Sequence, residues 1–439
     1  SLPALATASG EMGYRMTGAF SRIRRQFGTA VGHFEGVQEA SAEVAGLAYT
    51  LEAYRHLVTR GLEEGTISVV TAMAKYHSTE MMRVLINNGM DIASGRAVQM
   101  GPRNFMALAY QSIPVAITVE GANILTRSLM IFGQGAMRCH PYLYDELQAI
   151  QDEDQERGLD TFEGLFFKHA GHTLGNMSRG LVHGLSGAAL AEIPANADSF
   201  SAPWYRLITR YSAVLASFSD VAFALLGGDL KRREMVSARL GDVHSQLLIA
   251  CAVLKFHATL PRDEANDAHA RYALQHAFSQ IHDAVEDFAR NFGYMGVARI
   301  LKGVFFPFGR PAGAQKPSDE LIRTLGEQIM NPSSVRDALA ANAYISVDPK
   351  DSIGRVEVTY NKLLEVERDY EAFLKADGKG KLEGETIQAK LEDAAAKGII
   401  PNDQVQAILD YDEMRYDCLL TDAFDKELKE VDMNTQRPT

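Results

Sequence analysis

Ile117-Thr118-Val119-Glu120-Gly121-Ala122-Asn123-Ile124-Leu125-Thr126-Arg127 decides how this chain is read. A carboxylate sits between a β-leaning apolar run, Ile113 to Val119, and an apolar helical run, Ile124 to Phe132. Burial raises a carboxyl pKa, and the start of a helix lowers it. An acid under both influences can act as a base near neutral pH. Gly121 has no Cβ, so a ligand can approach the backbone closely. Taken alone, the same residues also describe a solvated acid in the first turn of a helix.

Upstream, residues 2–27 read as one helix, with Met12, Met16, Phe20, Ile23 and Phe27 on one face. Gly28 ends it. A second helix runs from about Gly36 to Leu62 and a third from about Ile67 to Ile92, both with apolar stripes that belong to a core. Pro102 and Pro114 bracket a short irregular stretch leading into Glu120, and Gly133 and Gly135 stop the helix after it. Residues 1–138 therefore read as helices packed in a four-helix bundle.

The eleven residues around Glu120 resemble the signature of the acyl-CoA dehydrogenases. Glu120, Gly121, Asn123 and Arg127 match it, while Val119 replaces the usual Tyr or Phe and Ala122 the usual Thr. The resemblance implies that Glu120 is the base that removes the α-proton of an acyl-CoA thioester. Its backbone N–H helps to hold the thioester carbonyl, with Gly121 beside the substrate and Asn123 on the flavin side. Ala122 lacks the hydroxyl that would face that flavin. Arg24-Arg25-Gln26-Phe27-Gly28 resembles the family's Arg-x-x-Phe-Gly, in which Arg24 and Phe27 would reach the FAD of a neighbouring subunit. A guanidinium suits a pyrophosphate because it offers paired donors. A basic last turn complementing a helix dipole is the plainer reading of the same residues. Ala74-Lys75, Ser78 and Glu80 also resemble the family. Asp91-Ile92-Ala93-Ser94-Gly95-Arg96-Ala97 occupies the place of a Gln-x-x-Gly-Gly-x-Gly loop that receives adenosine diphosphate. Asp91 and Gly95 are the positions that carry over, and Asp91 needs a ribose hydroxyl or Arg96 beside it.

From Cys139-His140-Pro141 the chain leaves the common family core. Residues 139–439 resemble the extra C-terminal region of the long proteobacterial fatty-acid acyl-CoA dehydrogenases. Helical patterns cover roughly 142–155, 159–192, 203–227, 231–258, 263–295, 317–329, 355–375, 385–397 and 402–429. The expected fold class is all-α, a bundle followed by a second large helical domain. His169 and His172 share a helix face with His183 further along, but a metal site needs a third ligand, and none is assigned. Arg299 to Arg310 places Phe305, Phe306 and Phe308 among Arg299, Lys302 and Arg310. That pattern suits either an exposed tip on an anionic bilayer or a plug that closes a helical core.

The net charge of -12 argues against a nucleic-acid partner. Cys139, Cys251 and Cys418 are widely spaced, which fits a reducing, cytoplasmic setting, peripheral at the inner membrane if the Phe tip is exposed. No run of about 18 apolar residues is visible. The family resemblance implies an FAD-dependent enzyme converting fatty acyl-CoA to trans-2-enoyl-CoA in β-oxidation. It also implies an electron-transfer flavoprotein as acceptor, a homodimer, and further domains upstream of residue 1. The alternative is a non-catalytic helical module for oligomerisation or for docking on a membrane or partner.

Overall fold

The structure is a computed structural model and describes residues 1–65, 68–135, 139–427 and 429–431. The protein is all-α, with four two-residue strands among the described residues.

Helix α1 spans Leu2–Ile23 and buries Met16, Phe20 and Ile23. It ends four residues short of the expected Phe27. Phe27 and Gly28 take φ of 52° and 83° and turn the chain between β1, Arg25–Gln26, and β2, Thr29–Ala30. Two successive positive φ values match the right-handed twist of a two-residue hairpin and cannot continue a helix. Helices α2, Glu35–Glu64, and α3, Ser68–Ala93, follow as expected. The short α4 is Gly95–Val98.

Helix α5, Ala107–Thr118, corrects the β-leaning reading of residues 113–119. Ile113 and Ala116, three apart, are buried, so burial of a helical face overrides strand propensity here. Pro114 lies inside the helix rather than in an irregular stretch. Helix α6, Asn123–Leu125, widens at once into a π-helix over Thr126–Gln134.

Downstream come α7, Leu143–Ile150; α8, Gln155–Leu185; α9, Ala202–Leu226; α10, Glu234–His257; α11, Glu264–Asn291; and α12, Met295–Phe305. Then follow α13, Asp319–Gln328; α14, Ser334–Leu339; α15, Ser352–Asp377; α16, Ile387–Ala396; and α17, Gln404–Leu419. Side-chain oxygens of Asp154, Asp263, Ser333, Asp351 and Thr386 accept the first free N–H groups of α8, α11, α14, α15 and α16. The helix expected to run to residue 192 stops at Leu185, because Gly187 and Ala188 take φ of 60° and 67°. The one expected to reach 429 stops at Leu419. A small antiparallel pair follows, β3, Ala423–Phe424, and β4, Glu430–Val431.

The chain forms two compact units. One comprises Ser1–Ala6, Tyr49–Met81 and Pro114–Ser318; the other comprises Thr7–Ala48, Met82–Ile113 and Asp319–Thr439. The first is built on α9, α10 and α11, with Trp204, Tyr211, Phe218, Phe278 and Phe288 in its core. Helix α9, with its extension to Lys231, is long and apolar enough to cross a membrane, at mean hydropathy 1.5, which no apolar run in the sequence had suggested. Half of that window is buried, and two charged side chains of the helix are met inside the unit: Arg210 donates to the Phe305 carbonyl and Asp220 accepts from Thr173. That is the pattern of a core helix. In the second unit Glu357 receives Arg15 from α1 across 2.5 Å, and Tyr360 donates to the Met330 carbonyl.

The Phe segment divides. Phe305 and Phe306 are buried, Phe305 against Phe218 and Gly180, Phe306 against Tyr211 and His282. Only Phe308, 78% exposed, faces solvent. Lys302 and Arg310 pair with Glu286 and Asp283. A lipid-binding tip of three aromatic side chains and free cations is therefore not formed, because packing claims two rings and acids claim two cations. Phe305→Ala is expected to cost about 3–5 kcal/mol of unfolding free energy, and Phe308→Ser no more than about 0.5 kcal/mol, in urea titrations.

Candidate active-site loop

Glu120 and Gly121 form the turn between α5 and α6. Their φ values are 53° and 88°. A glutamate in the left-handed region costs of order 1–2 kcal/mol and persists only where the surroundings impose it. The Glu120 side chain is exposed rather than buried between its apolar neighbours, and Oε1 accepts from Ser1 Oγ at 3.3 Å. A carboxylate presented to solvent on a constrained turn is available to an incoming ligand.

The constraint comes from α3. Lys75 is buried, and its Nζ donates to the carbonyls of Ile117 (3.2 Å) and Gly121 (2.7 Å) and to Asn123 Oδ1 (2.6 Å). One ammonium thus ties together the end of α5, the turn and the start of α6. Burial lowers the Lys75 pKa, while Glu120 and Glu80 favour its charged form. The amide of Asn123, itself buried, donates to Thr79 Oγ1 at 2.9 Å and Glu80 Oε1 at 2.7 Å. Thr126 Oγ1 gives the Gly121 carbonyl a second donor at 3.2 Å. Asn123, expected on the flavin side, therefore spends its amide on the scaffold. Arg127, matched in the motif, is held by Asp242 of α10 at 2.6 Å. Glu120, Gly121 and Asn123 lie in the first unit.

Arg24, Phe27, Asp91 and Gly95 lie in the second unit. Arg24 Nη1 donates to Ser94 Oγ at 2.5 Å, which brings the end of α1 to the loop before α4. Phe27 is 95% exposed at the tip of its hairpin. Gly95 is exposed, and a Cβ there would meet nothing within 4 Å. Asp91 is also exposed. Arg96 does not serve Asp91: its buried guanidinium lies over Phe20 and Phe105 and donates to the Arg103 carbonyl. A half-buried guanidinium with donors to spare, an open glycine and a largely exposed ring that meets Phe34 edge-on are groups of the kind that can hold a diphosphate and an adenine.

The sequence reading missed Lys75 and Thr79 as the parts that hold the loop. Their four-residue spacing on α3, together with the resemblance at Lys75 and Glu80, was the available signal. It also missed His140, Glu146 and Asp220. His140 Nε2 lies 2.9 Å from Asp220 Oδ1, and His169 reaches Glu146 at 2.9 Å and Asp220 at 3.5 Å. The ligand atoms of His140, His169 and Asp220 lie within 4.8 Å of one another. Nδ1 of His140, however, accepts the backbone N–H groups of Tyr142 and Leu143. This places its proton on Nε2, where a metal would need the lone pair. Burial pushes the Asp220 pKa up, but hydrogen bonds from His140 and Thr173 outweigh that and hold it low. The cluster is a hydrogen-bonded brace between α7, α8 and α9. His172 and His183 do not join these hydrogen bonds.

Lys75→Met keeps the length of the side chain and removes its three donors. It is expected to cost roughly 2–4 kcal/mol and to speed amide exchange over residues 118–123 far more than over α10. Native-state hydrogen exchange separates this from a uniform loss of stability.

Comparison with known proteins bears on the family and the fold. Residues 137–424 match the family described as acyl-CoA dehydrogenase, C-terminal, bacterial type. Residues 4–131 match the acyl-CoA dehydrogenase C-terminal domain. The chain is similar to the probable acyl-CoA dehydrogenase FadE10 of Mycobacterium bovis and to that of Mycobacterium tuberculosis. Each is 23% identical over 294 residues, covering 64% of this chain and 43% of the relative. The chain therefore spans less than half the length of these curated relatives. Its fold resembles that of an acyl-CoA dehydrogenase from Bacillus anthracis crystallised with FAD, at TM-score 0.55 and 12% identity, covering 75% of this chain and 55% of that one. The chain belongs to the acyl-CoA dehydrogenase family.

Proposed function

We propose that this chain carries the catalytic base and part of the cofactor site of an FAD-dependent fatty acyl-CoA dehydrogenase that forms trans-2-enoyl-CoA. The observation that carries the reading is the Glu120–Gly121 turn, a strained carboxylate-bearing loop clamped by Lys75. Bound FAD supplies the acceptor for the β-hydrogen, which leaves as hydride. Glu120 takes the α-proton, so that neither hydrogen has to leave unaided. The Glu120 N–H donates to the thioester oxygen as negative charge develops there. Arg24 offers its remaining N–H groups to the flavin diphosphate, while Ser94 fixes its orientation. In this reading the electrons pass on to an electron-transfer flavoprotein, the enzyme is a cytoplasmic homodimer, and its pathway is fatty-acid β-oxidation. A helical module for assembly is a second reading, for residues 139–439, favoured by the exposed apolar face of α8.

Glu120→Gln in the holoenzyme is expected to lower kcat by at least about 100-fold while acyl-CoA still binds within a few-fold of wild type. Retention of more than that activity assigns the base elsewhere. Arg24→Ala is expected to lower flavin occupancy after dialysis and to leave the acyl-CoA titration unchanged. Full occupancy in the variant reduces Arg24 to an anchor for Ser94.

A further inference from the structure

Between α9 and α10 lies a cavity of about 400 Å³, within the range of small-molecule sites. Its α9 wall is Ile208, Ser212, Ala216 and Ser219, spaced four, four and three apart on one helix face. Three of the four are small, whereas the opposite face of the same helix buries Tyr211, Val214 and Phe218. The space therefore follows from the sequence of α9. From Ile208 to Ser219 this wall runs roughly 16 Å. His244, Leu247, Leu248 and Cys251 form the facing wall on α10. Phe132 and Gly135 close one end, roughly 15 Å along their own helix from the Glu120–Gly121 turn.

The two ends of the cavity differ. Thr173 donates to Asp220, which brings His172 of α8 beside Ser219. Helices α9 and α10 are joined by the short turn Gly227–Lys231 and run antiparallel, so His244 lies toward the same end. Phe132 packs against Gly241, one turn before His244. Ile208, Leu248 and Cys251 lie at the other end. At the polar end His140 already donates to Asp220. His172, His244 and Ser219 have no such partner: none makes a side-chain hydrogen bond among the described residues. Burial lowers the pKa of both imidazoles, which leaves each with one N–H donor and one lone pair near neutral pH. Polar groups gathered at one end of an apolar cavity, with no partners of their own, are what orients a ligand's head.

We propose that this cavity is a ligand site separate from the Glu120 turn, which takes a single-chain lipid with an uncharged, hydrogen-bonding head such as a fatty alcohol. The chain lies along α9 over Ala216, toward Ile208 and Leu248. The head hydroxyl accepts from one of His172 and His244 and donates to the other. Shape selects the chain, because this volume spread over three helical turns is long and narrow. Charge selects the head. Among the described residues no cation lines the cavity, and a carboxylate there would meet Asp220 behind His140. Binding here needs no turnover at Glu120, so its failure leaves the dehydrogenase reading untouched.

Equilibrium dialysis of n-decanol against the full chain tests it, with decanoate alongside. Saturable binding of one n-decanol per chain is expected, with decanoate at pH 8 weaker by about 10-fold or more. Ala216→Leu fills the groove and is expected to weaken n-decanol binding by about 10-fold or more. Ser212→Leu, on the exposed part of the same wall, is expected to act in the same direction without loading the core, and urea titration checks that each variant folds. His172→Phe with His244→Leu is expected to remove the preference for the alcohol over decanoate. Decanoate bound as tightly as n-decanol by the wild type overturns the uncharged head. Binding of n-decanol that does not saturate, or that is the same in Ser212→Leu and Ala216→Leu as in the wild type, overturns the site.

Discussion

A single buried ammonium governs the candidate site. Lys75 is surrounded by two main-chain carbonyls and an amide oxygen, three acceptors for its three protons. Inside a protein such a charge is tolerated only when its hydrogen-bonding capacity is met. Here meeting it requires the chain to end one helix, pass through two left-handed residues and begin another within the reach of one side chain. The backbone geometry of Glu120 follows from that requirement rather than from any preference of glutamate. The carboxylate can stay exposed and still be well placed, since the main chain beneath it is fixed.

The same principle recurs in the second unit. Arg96 lies between two phenyl rings with its donors on main-chain oxygen and on the Cys418 sulfur. Arg103 meets both Asp417 and Asp422. Glu357 is shared by Arg15 and Arg336. The pairs of Arg15 with Glu357, Arg96 with Cys418, and Arg103 with Asp417 and Asp422 join segments more than 300 residues apart in sequence, α1, α4 and the α4–α5 loop with α15, α17 and the residues just after it. They fix which helices meet more than they add to stability, since removing either partner strands a buried charge.

Much of this was legible in the sequence, and the limits have physical causes. Helix stripes of period 3.6 placed α2, α3 and most helices after residue 140 within a few residues. Ends were misplaced where a positive φ fell on a residue other than glycine: Phe27 and Ala188 gave no compositional sign of a turn. The 113–119 run looked like strand because Ile, Val and Thr dominate it, yet Ile113 and Ala116 point inward together only in a helix. Glu120 stood out by motif, but its exposure depends on what packs around the turn, which local sequence does not contain. Lys75, His140 and Asp220 act through partners roughly 40 to 80 residues away, and periodicity carries no information at that range.

The widened helix over Thr126–Gln134 has a consequence for how this region tolerates change. A π-helix is an α-helix that has taken up an extra residue. Within it Arg127 reaches Asp242, while Ile131 and Phe132 lie against Gly241, so residues five apart touch the same short stretch of α10. In a regular α-helix two such residues would point about 140° apart. Losing one residue between them would restore ordinary helix geometry and keep the chain helical. It would also leave the two anchors four apart, about 40° around the helix, so both would still face α10. Loss of one residue here is thus absorbed by the winding of the helix, whereas the same loss from a regular α-helix would turn everything beyond it by about 100°.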